Sequence, residues 1–193
     1  MPPINTPNTQ QEVLEQQMKE VQNNYIVAVQ NLSVTNLESK KALVSSWLTR
    51  DKLINDFFTF SLITLGAAAT ILTAKSSLIS SKSLFYVSLA CLTITIIFSS
   101  FSRLYIDFKA NRATQDILNN FNDTVSKIDV FRIDPANVEN KTRMDESVKR
   151  TNEFYPVENW LIRYSQVVSA CIFTSAFLLF VLSLVISVNI PKN

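Results

Sequence analysis

Three long stretches of this chain contain no Asp, Glu, Lys or Arg. They are Phe57–Ala74, Leu84–Phe101 and Val167–Ile190, and all 18 basic and 16 acidic residues lie outside them. A helix rises about 1.5 Å per residue and the hydrocarbon core of a bilayer is about 30 Å thick, so about 20 apolar residues span it. A helix at the surface of a soluble protein keeps one polar face for water. That face is missing in all three stretches, and the pattern predicts three transmembrane helices.

The alternative for each stretch is a helix buried inside a large soluble core. A chain of 193 residues is too short to surround three such helices. The predicted fold class is therefore all-α: an integral membrane protein with a transmembrane helical hairpin over residues 57–102, a third transmembrane helix over residues 167–190, and long cytoplasmic amphipathic helices outside the membrane.

The distribution of Lys and Arg predicts the orientation. The segment before the first stretch and the segment over residues 103–166 are rich in basic residues, whereas the loop KSSLISSKS (Lys75–Ser83) and the tail over residues 191–193 carry few. Basic residues favour the cytoplasmic side of a membrane. We therefore expect a multi-pass protein of the plasma membrane, specifically the bacterial inner membrane, with a cytoplasmic N-terminus, a cytoplasmic 103–166 segment and an external C-terminus.

The segment before the first transmembrane stretch predicts a disordered tail over residues 1–8 and a cytoplasmic helix over residues 9–56. The helix is expected to begin at Thr9, where Glu12 completes a capping box, and it meets no proline or glycine before the first stretch. Apolar residues then recur at heptad spacing, which is typical of a coiled coil that pairs with another chain or with the middle segment of its own chain. The predicted oligomer seam consists of Leu14, Met18, Val21, Tyr25, Ala28 and Leu32.

The 103–166 segment predicts further helices on the same side of the membrane. The second transmembrane helix continues without a breaker into an amphipathic helix, and new helix starts are expected at Asp134-Pro135 and Tyr155-Pro156. Aromatic residues at the edges of the apolar stretches are expected to anchor the membrane interface; these are Trp47, Trp160 and Tyr164. The apolar face of the amphipathic helix is formed by Ile106, Ala110, Ala113, Ile117, Phe121 and Ile128, with Leu118 and Val125 beside it.

Small and hydroxyl side chains within the first two stretches predict close helix packing. One helical stripe of the first stretch combines Leu62, Gly66, Ala69 and Thr73. We interpret this stripe as the helix-packing contact of the hairpin or of an oligomer. The alternative is a hydroxyl-lined pore wall that forms on oligomerisation.

The composition also excludes common kinds of chemistry. The chain has no histidine, which is the commonest general base and metal ligand, and its two cysteines lie in separate stretches. Its single glycine excludes a phosphate-binding loop and a dinucleotide fingerprint. No basic cluster is interleaved with aromatic residues as nucleic-acid binding requires. We expect no enzyme activity, no catalytic, cofactor or metal site and no nucleic-acid partner, but a lipid bilayer together with a second copy or a helical protein as partners.

Residues 38–128 suggest a family comparison. A helix (LESKKALVSSWLTRDKLIND) enters a transmembrane stretch, a short polar loop returns, and the second stretch continues as a helix (SRLYIDFKANRATQDILNNF). This organisation resembles the bacterial SLATT domain, a two-span effector module. The resemblance implies pore formation or membrane disruption in nucleotide-signalled antiviral defence. The third stretch and residues 129–166 depart from the two-span plan, and no functional residue is carried over.

Two functions remain open at this point. The first is a small helical membrane protein that self-associates and acts as a membrane effector or channel-like oligomer. The alternative is a non-catalytic membrane adaptor or assembly subunit, whose cytoplasmic helices recruit a partner protein.

Overall fold

The computed structural model describes residues 7–74, 78–79 and 81–185. This part of the chain folds into four α-helices without any strand, which confirms the predicted all-α class. The helices are α1 (Pro7–Ala74), α2 (Lys82–Ile133), α3 (Val138–Glu153) and α4 (Trp160–Val185). Three of them, α1, α2 and α4, are long and apolar enough to cross a membrane.

The first two helices join a polar segment to an apolar one without interruption. Helix α1 begins at Pro7, upstream of the predicted capping box, so Pro7 and Asn8 belong to the helix rather than to a disordered tail. Proline is favoured in the first turn because its missing N–H would have no partner there. The rest of the predicted tail lies outside the described residues, as do residues 186–190 of the third stretch and the tail over residues 191–193.

Two predicted helix starts are displaced toward the C-terminus. Asp134 and Pro135 lie between α2 and α3, and α3 begins after Asn137, whose side chain accepts hydrogen bonds from the backbone N–H groups of Glu139 and Asn140. Tyr155-Pro156 lies in the extended stretch before α4. There the Oδ1 of Asn159 accepts a 3.1 Å hydrogen bond from the backbone N–H of Ile162. In both places an asparagine caps the helix, because its side-chain oxygen satisfies N–H groups that have no partner within the helix.

The chain divides into two compact units. The first unit comprises Met1–Ala42 with Ala113–Pro156, and the second comprises Leu43–Arg112 with Val157–Asn193. In the first unit, the two amphipathic helices predicted from the sequence pack together with α3. Its apolar core consists of Ile26 and Val29 from α1, Ile128 and Phe131 from α2, and Met144 from α3, with Val148 packed beside them.

The second unit contains the three charge-free stretches. One of its apolar clusters is formed by Ala68, Ile79, Phe85 and Phe180. Ile79 comes from the loop that the sequence analysis interpreted as a polar hairpin tip, and its side chain is buried. The backbone N–H of Ser81 in the same loop donates a 3.5 Å hydrogen bond to the carbonyl of Ser183 in α4. The described part of this loop is therefore packed against the helices.

Candidate functional site

The second unit buries small hydroxyl side chains beside apolar ones such as Phe85, and it exposes other large apolar side chains. The exposed ones include Phe60, Ile63, Ile97, Phe101 and Leu178. Water disfavours so many large apolar side chains at the surface of charge-free helices. Helices in lipid instead approach one another through small residues. The fully buried hydroxyl residues of this unit are Ser61, Ser88, Thr95, Ser99, Ser102, Ser165, Ser169 and Ser183.

Four of these eight buried hydroxyl groups, those of Ser61, Ser88, Thr95 and Ser183, donate to a carbonyl of their own helix. The Ser61 hydroxyl donates to the carbonyl of Phe57 at 2.7 Å, and the Thr95 hydroxyl donates to that of Cys91 at 2.9 Å. One pair connects two helices, since Ser99 Oγ in α2 lies 3.3 Å from Ser169 Oγ in α4. The hydroxyl groups therefore permit close contact between helices without leaving buried polar atoms unpaired at these positions.

The predicted helix-packing stripe lies on the outer surface of this unit. Leu62, Gly66, Ala69 and Thr73 are all exposed, and a Cβ atom added at Gly66 would meet nothing within 4 Å. The neighbouring stripe of Ser61, Thr64 and Ala68 is buried instead. The stripe therefore does not form the hairpin contact. Both stripes consist of small or apolar residues, which is why the sequence pattern did not distinguish them.

Ion pairs connect α1 with α2 and with the segment just before α4. We call the group of charged residues that forms them the ionic collar; it consists of Arg50, Asp51, Arg103, Glu158 and Arg163. Arg50 donates to the Glu158 carboxylate, and Arg163 lies 3.8 Å from the same carboxylate. Arg103 Nε lies 3.3 Å from Asp51 Oδ1. Burial raises the pKa of the Asp51 carboxyl, and the nearby charge of Asp107 adds to this, whereas Arg103 opposes it. Ionised Asp51 is therefore less favourable here than in water.

The predicted interface anchors occupy two different environments. Trp47 is only 2% exposed, so it packs inside the second unit instead of standing at its surface. Trp160 and Tyr164 are exposed on α4, with ring centroids 6.3 Å apart. Only these two have the exposure that an interfacial anchor needs.

A buried lysine fastens α3 to α1 in the first unit. Lys40 is 2% exposed, and its Nζ donates to the carbonyl of Thr151 in the last turn of α3. The same Nζ lies 5.1 Å from the centroid of the Tyr155 ring. Carbonyl groups at the end of a helix carry partial negative charge and favour a cation. Burial nevertheless lowers the pKa of Lys40, because the charged form is desolvated.

A cluster of hydroxyl groups lies between α2 and α3 in the same unit. Thr124 Oγ1 lies 2.7 Å from Thr151 Oγ1 and 3.0 Å from Ser147 Oγ. The Ser147 hydroxyl also donates to Asp123 at 2.8 Å, which lowers the pKa of that carboxyl. Ile117 and Ile128 were predicted to lie on this face of α2, whereas Thr124 was not. Thr124 lies four positions before Ile128, so helical spacing places it on the same face. It was omitted because the prediction used apolar residues only.

The predicted oligomer seam is exposed along its whole length. Its exposed fraction reaches 69% at Val21, and the face of α1 that packs within the unit is instead formed by Ile26, Val29 and Ser33. Only the Tyr25 hydroxyl has a polar contact, a 2.9 Å hydrogen bond to Asp145. An open groove of about 510 Å³ separates this part of α1 from the turn after α2. Its lining includes Leu14, Met18, Val21, Phe131, Pro135 and Lys141.

No family model, curated protein or solved structure matches this chain.

Across residues 7–74, 78–79 and 81–185, no three Cys, Asp or Glu side chains gather so that they could hold a metal ion. Both cysteines are free thiols; Cys91 is half-buried and Cys171 is exposed. Three exposed surfaces stand out among the described residues: the seam, the stripe and the apolar exterior of the second unit.

Proposed function

We propose that this chain is a multi-pass membrane protein that self-associates and acts as a membrane effector or channel-like oligomer. The observation that carries this proposal is the exterior of the second unit, whose charge-free stretches expose large apolar side chains. Such a surface would be unfavourable in water, since burying apolar area contributes about 25 cal/mol per Å². A lipid bilayer covers it at no such cost.

The proposed orientation places the first unit and the ionic collar on the cytoplasmic side of a bacterial inner membrane. The basic residues of the ionic collar, Arg50, Arg103 and Arg163, favour that side. Trp160 and Tyr164 have the exposure and the amphipathic rings that suit the level of the headgroups. The described end of α4 then lies toward the external side.

Self-association through the seam is supported by its exposure and by its flanks. The residues beside the seam include Gln17, Gln22 and Asn24, which carry no charge, so two copies would not repel one another at these positions. Most of the stability of a helix in a protein comes from the packing of its apolar faces against other segments. A second copy of the same seam would cover the apolar residues that this chain leaves exposed.

The effector role rests on the resemblance to the SLATT domain and on the exposed stripe. The stripes of Leu62, Gly66, Ala69 and Thr73 from two or more copies can face one another inside the membrane. Small residues would let these helices approach closely, and Thr73 would add a hydroxyl group to the contact. Opening of such a contact would disturb the bilayer and lead to depolarisation, consistent with a role in antiviral defence.

The test compares two double variants of the full chain in bacterial membranes. Leu14→Gln with Val21→Gln disrupts the seam, whereas Val13→Gln with Val27→Gln changes exposed apolar residues that lie off the seam. We expect the seam variant to lose crosslinked oligomers and the depolarisation reported by a membrane-potential dye, and the control to keep both. A wild-type chain that crosslinks only as a monomer, or that depolarises nothing when an activating signal is present, would contradict the proposal.

The adaptor function remains a second candidate because of the groove. Its apolar wall and Lys141 offer a surface on which an amphipathic helix of another protein could lie. Affinity purification of the detergent-solubilised chain would distinguish the two functions. Recovery of a second protein in fixed proportion, lost in the exposed groove variant Lys141→Glu, favours the adaptor, whereas recovery of the chain alone as an oligomer favours the effector.

A further inference from the structure

The N-terminal part of α1 is exposed on every face. All side chains from Gln11 to Val21 are exposed, so no described segment of the first unit packs closely over them. A short helix without packing is marginal in water, because most helical stability in proteins comes from contacts of its apolar face. The first unit therefore presents an amphipathic helix that lacks a packing partner within its own chain.

The seam forms one wall of the groove between α1 and the turn after α2. Its residues line the groove from Leu14 to Tyr25, which corresponds to about 16 Å of helix. Phe131 and Pro135 line the other side. The hydroxyl of Tyr25 donates a 2.9 Å hydrogen bond to Asp145 in α3, which connects α1 to the rest of the unit at this end. With a volume of about 510 Å³, the groove has the length and the apolar lining that suit a helix of about three turns.

The exposed part of α1 has the anchors that such a groove requires. A helix that binds in an apolar groove uses apolar side chains spaced by three and four residues. Leu14, Met18 and Val21 have this spacing, and all three are exposed. Because the seam is itself one wall of the groove, a helix that covers the seam also lies in the groove, against Phe131 and Pro135.

The charges of the groove and of the exposed helix are complementary. Among the described lining residues, Lys141 alone is charged, and it is exposed. The exposed part of α1 is acidic, because it carries three glutamates and one lysine; the glutamates are Glu12, Glu15 and Glu20. Opposite charges across an interface favour the partner that carries them and disfavour partners of like charge. The groove therefore favours an acidic amphipathic helix, and this chain contains one.

We propose that the groove of each copy binds the exposed N-terminal part of α1 from a second copy of this chain. The inference rests on the self-association of the proposed function, and it adds the turn between α2 and α3 as the other half of the contact. The contact is reciprocal, since each copy provides one groove and one helix. A pair related by a two-fold axis therefore covers both seams at once.

Photocrosslinking of the full chain in bacterial membranes tests which segment occupies the groove. One copy carries a photoreactive amino acid in place of Pro135, which is exposed, and a co-expressed copy carries a different tag. We expect a crosslink between the two tagged copies, located by mass spectrometry within residues 11–21 of the second copy. The same photoreactive amino acid in place of Lys149, which is exposed on α3 outside the groove, is the control and should not reach that segment.

The other outcomes separate this inference from the proposed function. An oligomer whose crosslinks from position 135 never reach residues 11–21 of a second copy would overturn the inference and leave self-association intact. A crosslink to a different protein would overturn it in favour of the adaptor function. A chain without any oligomer would contradict the proposed function as well.

Reversal of the groove charge provides the second test. Lys141→Glu places a negative charge beside the glutamates of the second copy. Since each pair contains two such contacts, we expect the dissociation constant of the oligomer in detergent to rise about tenfold, measured by energy transfer between labelled copies. Lys149→Glu makes the same change outside the groove and should dissociate like the wild type. Both positions are exposed, so both variants should keep the melting temperature; equal dissociation constants for the two variants would contradict the inference.

Discussion

The two units bury similar mixtures of apolar and hydroxyl side chains but differ in what they expose, although α1 contributes to both. In the first unit α1 buries Ile26 and Val29, which is the ordinary arrangement for a surface that faces water. In the second unit the same helix buries Ser61 and Ala68 and exposes Phe60. What distinguishes the second unit is its exterior, because its charge-free stretches expose large apolar side chains, which lipid favours and water does not.

The largest effect that this comparison predicts is the loss of an apolar side chain from the first unit. Ile128→Ser removes a fully buried side chain and adds a hydroxyl group, so we expect the free energy of unfolding to fall by about 3–5 kcal/mol. Hydrogen exchange of the amides in the 113–133 part of α2 measures this loss locally. Val130→Ser changes an exposed residue two positions away and should alter exchange little; equal protection in both variants would show that the core is not where we place it.

The next effect comes from a large side chain in the interior of the second unit. Ser99→Leu forces four carbon atoms into the contact with Ser169, and overpacking of this kind typically costs about 1–3 kcal/mol. The melting temperature in detergent should fall. Ile97→Leu, at an exposed position of the same helix, is the control and should melt like the wild type. If Ser99→Leu were as stable as this control, the close packing of α2 against α4 at Ser99 would be wrong.

The sequence predicted the apolar helices of the second unit better than their packing faces. A charge-free stretch identifies a helix that can cross a membrane, but in such a stretch the stripe containing Gly66 and the stripe containing Ala68 look alike. In the first unit, the heptad residues lie exposed beside the face that α1 buries within the chain, so their role as an oligomer seam stays a prediction. In the charge-free stretches the packed stripe was missed because hydrophobicity tells a buried face from an exposed one only where the other side is water.

Buried polar residues were the other part that the sequence could not provide. Lysine is almost never fully buried, so nothing in the pattern around Lys40 indicated that it would cap α3. Trp47 was assigned to the interface because tryptophan is common there, and its burial depends on contacts with distant segments. The helix starts were placed at proline-containing pairs, whereas Asn137 and Asn159 provide the caps.

A smaller effect is expected from the titration of Lys40, because burial lowers the pKa of its amino group. Its pKa in the folded state is lower than the ordinary 10.5, so the unfolded chain binds more protons in the interval between the two values. The free energy of unfolding therefore rises with pH across that interval and reaches its full gain near pH 10.5. Denaturation measured between pH 8 and 10 should show this rise in the wild type, before the hydroxyl of Tyr25 titrates, because burial and Asp145 raise the pKa of that tyrosine above 10.0.

The variants that isolate this titration are Lys40→Met and Lys41→Met. Lys40→Met keeps most of the side-chain volume but has no group to titrate, so its stability should not rise over the same pH range. Lys41 is exposed, and Lys41→Met should keep the rise. A rise that persists in Lys40→Met would assign the pH dependence to another group and remove the buried cation from the comparison between the units.

The smallest effect on stability is expected at Gly66, where the comparison becomes a test of assembly. Because a new Cβ there meets nothing within 4 Å, Gly66→Leu should fold as well as the wild type, with at most about 1 kcal/mol gained from better helix propensity. Ala68→Leu is the matched control: Ala68 is fully buried, so this variant should lower the melting temperature. If Gly66→Leu changes only the size of the crosslinked oligomer, a second copy contacts the exposed stripe. If neither size nor melting temperature changes, the stripe faces lipid, and self-association depends on the seam of the first unit alone.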